Sequence, residues 1–272
     1  MTTIVWAGNT ILDAETPVRR NFAVAVENNR IIETGAKDDL MARFEKAEVV
    51  GGENFLLTAA LVNSHDHGRI LGTAALGIPD DMLEIWLPSA RTQPTIDPYT
   101  TALYSGLRLL KAGVGSVVHQ HRPRDWSKLY EESSATIRGY RDAGIRVVFC
   151  ILYADRSQLT YDEPSGFVAS LPPEAQKFVG PFLASPPYPL DEYTGLVSDL
   201  VSDFSDIESH TTHISVCPAG GEGCSDELLT TMVNFSQQRK IRVQMHLLET
   251  KFQKISSLRR FGKSMEKHLD EI

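Results

Sequence analysis

Two histidines separated by one residue, His65 and His67, close the segment "LLTAALVNSHDHGRI". In a strand, residues i and i+2 project from the same face, so these imidazoles converge while Asp66 points away. Converging nitrogen donors suit a divalent metal. A second pair, His119 and His121 in "GSVVHQHRP", has the same spacing, so spacing does not choose between them and position in the fold must. Further along, "IRVQMHLLET" holds His246, with Glu249 three residues later. Three imidazoles are the protein ligands of a typical catalytic zinc site, which keeps a position open for water. A neighbouring carboxylate would move the protons that hydrolysis of a C–N bond requires.

The elements that would bring these residues together can be read from patterning. From residue 56 onward, apolar strands alternate with amphipathic helices, as in a parallel α/β sheet. The strands are "FLLTAALVNSH", "VGSVVHQH", "IRVVFCILYA", "HISVCPAG" and "IRVQMHLLE". Helix ends are also legible. Asp97 caps a helix with Pro98 at its first position, a second helix spans Asp125 to Ala143 before Gly144, and Ser225 caps "SDELLTTMVNFSQQRK". Residues 1–55 read instead as short strands with one helical piece near Asp38–Lys46, and "AVAVENNRIIETG" reads as a hairpin turning at Asn28-Asn29.

In a parallel barrel, functional residues gather at the carboxyl ends of strands. His65 and His67 end the first strand and His246 the fifth, so the three can meet there. Taken singly, His246 and Glu249 fit a strand end and a loop start; taken with "SHDHG", they fit a site. His119 and His121 end the second strand, and a substrate-facing role and a hydrogen-bonded structural role both stay open for them. Arg69 suits a substrate contact or an ion pair. His210 and His213 precede the fourth strand and His268 lies in the last helix, positions that suggest structural or exposed roles.

Composition excludes several classes. The 272 residues carry 27 Lys and Arg against 35 Asp and Glu, a formal charge of −8 with no basic run, which argues against a nucleic-acid binder. No apolar run is long enough for a membrane span and no leader is evident at the start, so a cytoplasmic protein without membrane association is expected. Cys150, Cys217 and Cys224 are an odd number without zinc-finger spacing, which predicts reduced thiols, with Cys150 an inert core residue.

With its β-rich leader, "LTAALVNSHDHGR", "CSDELL" and "VQMHLLETKFQK", the chain resembles the amidohydrolase superfamily, in its cytosine-deaminase-like and chlorohydrolase-like branch. The resemblance implies a partial TIM (β/α)8 barrel of about five of the eight βα units over residues 56–272, preceded by a small N-terminal β-sandwich subdomain over residues 1–55. It further implies one divalent metal ion, zinc or alternatively iron, held by His65, His67 and His246, with Glu249 as the proton-shuttling acid. The implied activity is a metal-dependent hydrolase or deaminase acting on non-peptide C–N bonds of a cyclic amidine or nucleobase-like small molecule.

The sequence departs from the family in three places. Ala59-Ala60 replaces a usual Pro-Gly, "CPAGGEGCSDELL" is an unusual fourth-strand loop, and the family's strand-six histidine and strand-eight aspartate are absent. The expectation is therefore a truncated chain, with a homo-oligomer or a complementing C-terminal polypeptide as partner. The alternative is a catalytically inactive fragment or one half of a split enzyme. A complete five-stranded doubly wound domain is a third reading, disfavoured because no Gly-rich phosphate loop follows the first strand.

Overall fold

The computed structural model describes residues 1–157, 160–161, 163–184, 188–205 and 211–272. It divides into two compact units, Met1–Leu61 and Val62–Ile272.

The first unit contains β1 (Thr3–Ile11), β2 (Arg19–Glu27), β3 (Arg30–Ala36), α1 (Lys37–Arg43) and β4 (Glu48–Thr58). Their order in the sheet is β3-β2-β1-β4, with β4 parallel to β1 and the other pairs antiparallel. The expected hairpin joins β2 to β3, and Asn28 and Asn29 adopt φ of 49° and 61°, as a two-residue turn matched to strand twist demands. Ile4, Ala23, Ala25 and Leu40 form the small core beneath α1. The expected sandwich is corrected to a single four-stranded sheet covered by a helix, since β4 joins the edge of β1 and does not start a second layer. The expected strand "FLLTAALVNSH" is also two strands. Leu56, Leu57 and Thr58 pair with β1, and the chain breaks at Ala59-Ala60 before entering the second unit's sheet.

That sheet contains β5 (Leu61–Asp66), β6 (Val114–His121), β7 (Arg146–Tyr153), β8 (Thr212–Pro218) and β9 (Arg242–Val243), hydrogen-bonded in chain order. Strands β6 to β9 pair in parallel. Between or after the strands lie α2 (Leu83–Ala90), α3 (Pro98–Lys111), α4 (Leu129–Ala143), α5 (Pro164–Ser170), α6 (Pro173–Ala184), α7 (Leu190–Phe204), α8 (Asp226–Arg239), α9 (Lys251–Phe261) and α10 (Met265–Glu271). The chain-order arrangement lacks the reversal that defines a doubly wound sheet, which removes the third reading of the sequence.

The middle strands β6 to β8 are largely buried, whereas the edge strands are open, with Leu61 and Val62 of β5 60% and 67% exposed. Val117, Phe149, Ile151 and Val216 face the helices with Ile137 and Tyr193, while Cys150, Leu152 and Cys217 line the opposite face. Cap chemistry sets the helix ends. Asp97 accepts from the Thr100 amide at 2.7 Å, Ser225 accepts from the Leu228 amide at 3.1 Å, and Gly144 closes α4 at φ 84°. The α4 helix begins at Leu129, later than Asp125, because Asp125 caps a separate 3-10 turn over Trp126–Lys128. Regular β9 is only two residues long, although Gln244 still donates to the Val216 carbonyl at 3.0 Å. No helix among the described residues is long and apolar enough to cross a membrane.

Candidate metal centre

His65 lies at the end of β5 and His67 directly follows the strand. Asp66, between them, accepts from the Asn63 amide group at 2.8 Å and from the Gly68 backbone N–H at 2.5 Å, so it stabilises the bend that follows. Gly68 has φ 61°, and a Cβ there would stand 2.6 Å from His119 Cε1 and 2.8 Å from the Tyr140 hydroxyl. Only glycine fits that position.

His246 lies beyond β9, yet its ring centroid is 4.9 Å from that of His65 and 5.4 Å from that of His67, with His65 and His67 5.0 Å apart. One ligand atom from each ring falls within 4.8 Å of the others. The Nδ1 of His67 donates to the Gln120 carbonyl at 3.0 Å, and because a carbonyl only accepts, the Nε2 of His67 is left as the lone-pair donor. Burial, then the nearby Arg69 charge, pushes the His67 pKa down to about 3, and burial followed by His65 pushes that of His246 down to about 4. Both rings are therefore neutral at physiological pH. Three imidazole nitrogens on one point form a donor set that fits zinc.

Glu249 follows Leu248, whose φ of 53° turns the chain so that the carboxylate comes under the influence of His65. Its backbone N–H donates to Gln253 Oε1 at 2.6 Å. Desolvation raises its pKa, with Gln253 and His65 opposing and Glu84 and Glu222 adding to the rise. Glu84, on α2, accepts from the hydroxyls of Tyr161 at 2.5 Å and Thr250 at 2.6 Å. Those hydrogen bonds outweigh burial, so its pKa is lowered.

The remaining candidates fall elsewhere. Arg69 packs its guanidinium 4.7 Å from the Trp86 ring centroid and adjoins His67. His119 and His121 share the helix-facing side of β6 with Val117 and, among the described residues, add no ligand atom to the three-histidine group. His119 Nδ1 meets the Tyr140 hydroxyl at 3.0 Å, and His121 tilts over Phe149 with a centroid distance of 4.8 Å. His213 is exposed at the start of β8, His268 is buried against Asp226 at 2.9 Å, and His210 lies outside the described residues.

Sequence reasoning missed Gln120 and Gln244. Gln120 donates from Nε2 to Gln244 Oε1 at 3.3 Å and accepts from the Cys217 thiol at 3.0 Å. Strand alternation holds the signal, since Gln120 lies between two helix-facing histidines and Gln244 is two residues before His246.

The fold and site define a parallel α/β chain built around a three-histidine centre. No family model matches the sequence. Over 133 residues, 47% of this chain and 28% of the relative, it is 29% identical to a 5-methylthioadenosine/S-adenosylhomocysteine deaminase of Desulforudis audaxviator. Over 239 residues, 85% of this chain and 46% of the relative, it is 25% identical to a 5'-deoxyadenosine deaminase of Methanothrix thermoacetophila. The crystal structure of an adenosine deaminase from Xanthomonas campestris with bound zinc matches 99% of this chain and 54% of its own at a TM-score of 0.74 and 19% identity. The chain spans less than half the length of the curated relatives it matches. Its sequence is similar to those of these two deaminases, and its fold is shared with the zinc-bound adenosine deaminase.

Proposed function

We propose that this chain carries the metal-holding and proton-transferring part of a hydrolase that replaces the amino group on a ring carbon of a nucleobase-like amidine. The carrying observation is the convergence of His65, His67 and His246, with ligand atoms within 4.8 Å and Glu249 three residues past His246. The deaminase relatives supply the substrate class.

The histidines would hold one divalent ion, zinc by their donor chemistry, and the chemistry supplied by that ion when bound is the acidification of water to a nucleophile near neutral pH. Glu249 would pass a proton from the attacking water to the ring nitrogen beside the attacked carbon, then pass the proton of the new hydroxyl to the departing amine, so water adds, ammonia leaves and a carbonyl forms. Arg69, set beside His67 by Trp86, is assigned a substrate contact.

The sheet is proposed to be an arc of a (β/α)8 barrel. Laid flat, its two edge strands would be about 19 Å apart, at four strand spacings. Yet the ring centroids of His65, at the end of β5, and His246, just past β9, are 4.9 Å apart, which favours strong curvature.

The test is equilibrium dialysis against zinc with metal analysis, followed by ammonia release from purines, pyrimidines and triazines. One ion per chain is expected, lost in a His65→Ala, His67→Ala double variant and in His246→Ala. Glu249→Gln should keep the ion while turnover falls about 100- to 10,000-fold. Zinc binding that survives loss of all three histidines, or a zinc-loaded chain that releases ammonia from none of these compounds, overturns the proposal.

A further inference from the structure

The loop between β8 and α8, "AGGEGCS", is firmly held. Gly220, at φ 151°, brings the loop to the His246 backbone, where an added Cβ would lie 3.6 Å from the carbonyl oxygen. At Gly221 an added Cβ would overlap Met265 of α10, 2.4 Å from its sulfur. Beyond Glu222, the Gly223 carbonyl accepts from the Arg156 amide at 3.1 Å, and Ser225 donates its backbone N–H to Asp155 at 2.8 Å. Glu222 is therefore fixed between two anchored stretches, one of them against the chain that carries His246.

Glu222 is 7% exposed, and the hydrogen bonding of its carboxylate is incomplete. Oε1 accepts from the Ser257 hydroxyl at 2.9 Å, but that hydroxyl has one proton and also lies 3.1 Å from the Gln253 carbonyl. Oε2 is buried and has no hydrogen-bond partner. A buried carboxylate oxygen without a donor is costly, and native proteins rarely keep one unless something else supplies the donor. Through Ser257, Glu222 is joined to Gln253, whose side chain accepts the Glu249 backbone N–H at 2.6 Å, so Glu222 and Glu249 are held by the same face of α9. Burial raises the Glu222 pKa, a cost that a donor on a ligand would relieve.

We propose that Glu222 Oε2 is a substrate-facing acceptor that selects nitrogen heterocycles carrying an N–H donor in addition to the group being hydrolysed. The inference rests on the proposed function and narrows its substrate class. A buried carboxylate oxygen without a donor favours donor-rich or cationic amidines over acceptor-rich rings.

The test compares 2,6-diaminopurine with 6-aminopurine, which differ only in the extra amino donor, titrated calorimetrically into the zinc-loaded Glu249→Gln chain so that neither is turned over. Diaminopurine should bind at least about tenfold tighter, the range expected for a hydrogen bond to a charged group. Glu222→Leu should reduce that preference to about threefold or less by weakening diaminopurine alone, and the isosteric Glu222→Gln, which preserves the fold, should lie between. A preference unchanged in both variants, or no binding of either purine, overturns the inference. So does a second zinc ion per chain that Glu222→Gln removes, which would assign the residue to a metal. Failure of zinc to bind at the histidines sinks the proposed function itself; zinc bound there with a Glu222-independent preference sinks only this inference.

Discussion

His67 Nδ1 donates a 3.0 Å hydrogen bond to the carbonyl of Gln120, which ties the ligand that follows β5 to the neighbouring strand. The side chain of Gln120 reaches in turn to Gln244, two residues before His246. One residue thus positions elements on both sides of the donor set. Gln120→Leu keeps the carbonyl but releases Gln244, and partners of this kind typically affect metal affinity 10- to 100-fold. Zinc affinity measured by competition with a chelating dye should fall by about tenfold, with the far-ultraviolet circular dichroism unchanged.

Zinc should raise the thermal unfolding midpoint. At a free concentration about 100 times the dissociation constant, binding to the folded state alone adds about 2.7 kcal/mol, or roughly 5–10 °C for a unit of this size. Scanning calorimetry of His246→Ala should show no such rise.

Gly68→Ala should destabilise the second unit by about 1–3 kcal/mol, from the left-handed backbone alone. The added Cβ also overlaps His119 and Tyr140. Urea unfolding checks this, and a loss below about 0.5 kcal/mol would contradict the described packing.

His121 makes acid stability sensitive to one buried ring. Burial pushes its pKa down to about 3, while an unfolded histidine titrates near 6.5. Between those values the unfolded chain takes up a proton that the folded chain refuses, so stability falls as pH drops from 6.5 towards 3 and is unaffected above 6.5. At pH 5 the cost is about 2 kcal/mol. His119, packed beside it with Tyr140 and Phe149, is shifted in the same direction. His121→Leu should flatten the dependence of urea-unfolding free energy on pH across that window.

The thiols should be silent in the folded state. Cys150, Cys217 and Cys224 are buried, and burial pushes Cys150 and Cys224 up to about 12. A disulfide reagent at pH 8 should label none of them in native buffer and all of them in guanidinium.

The convergence of the three histidines was partly legible because strand periodicity is strict. His-x-His at the end of an apolar run places two donors on one face, and the same alternation applied to "VVHQH" would have turned His119 and His121 towards the helices and Gln120 away from them. Caps at Asp97, Ser225 and Gly144 were readable because each satisfies backbone groups within a few residues. The break at Ala59-Ala60 was not, since both halves of "FLLTAALVNSH" are equally apolar and only pairing with β1 distinguishes them. Glu222 and Glu84 were missed for a similar reason. An acidic residue in a loop or on a helix is normally solvated, and only tertiary structure reveals that these two are enclosed.

The brevity of β9 bears on the order of assembly. His65 and His246 come from the two ends of the second unit, and the latter hangs just past a strand of two residues. Contacts so remote in sequence form late, after the intervening strands have docked in turn. Uptake of an ion would therefore report that the sheet is finished, which makes a metal-sensitive dye a stopwatch for the last event in folding.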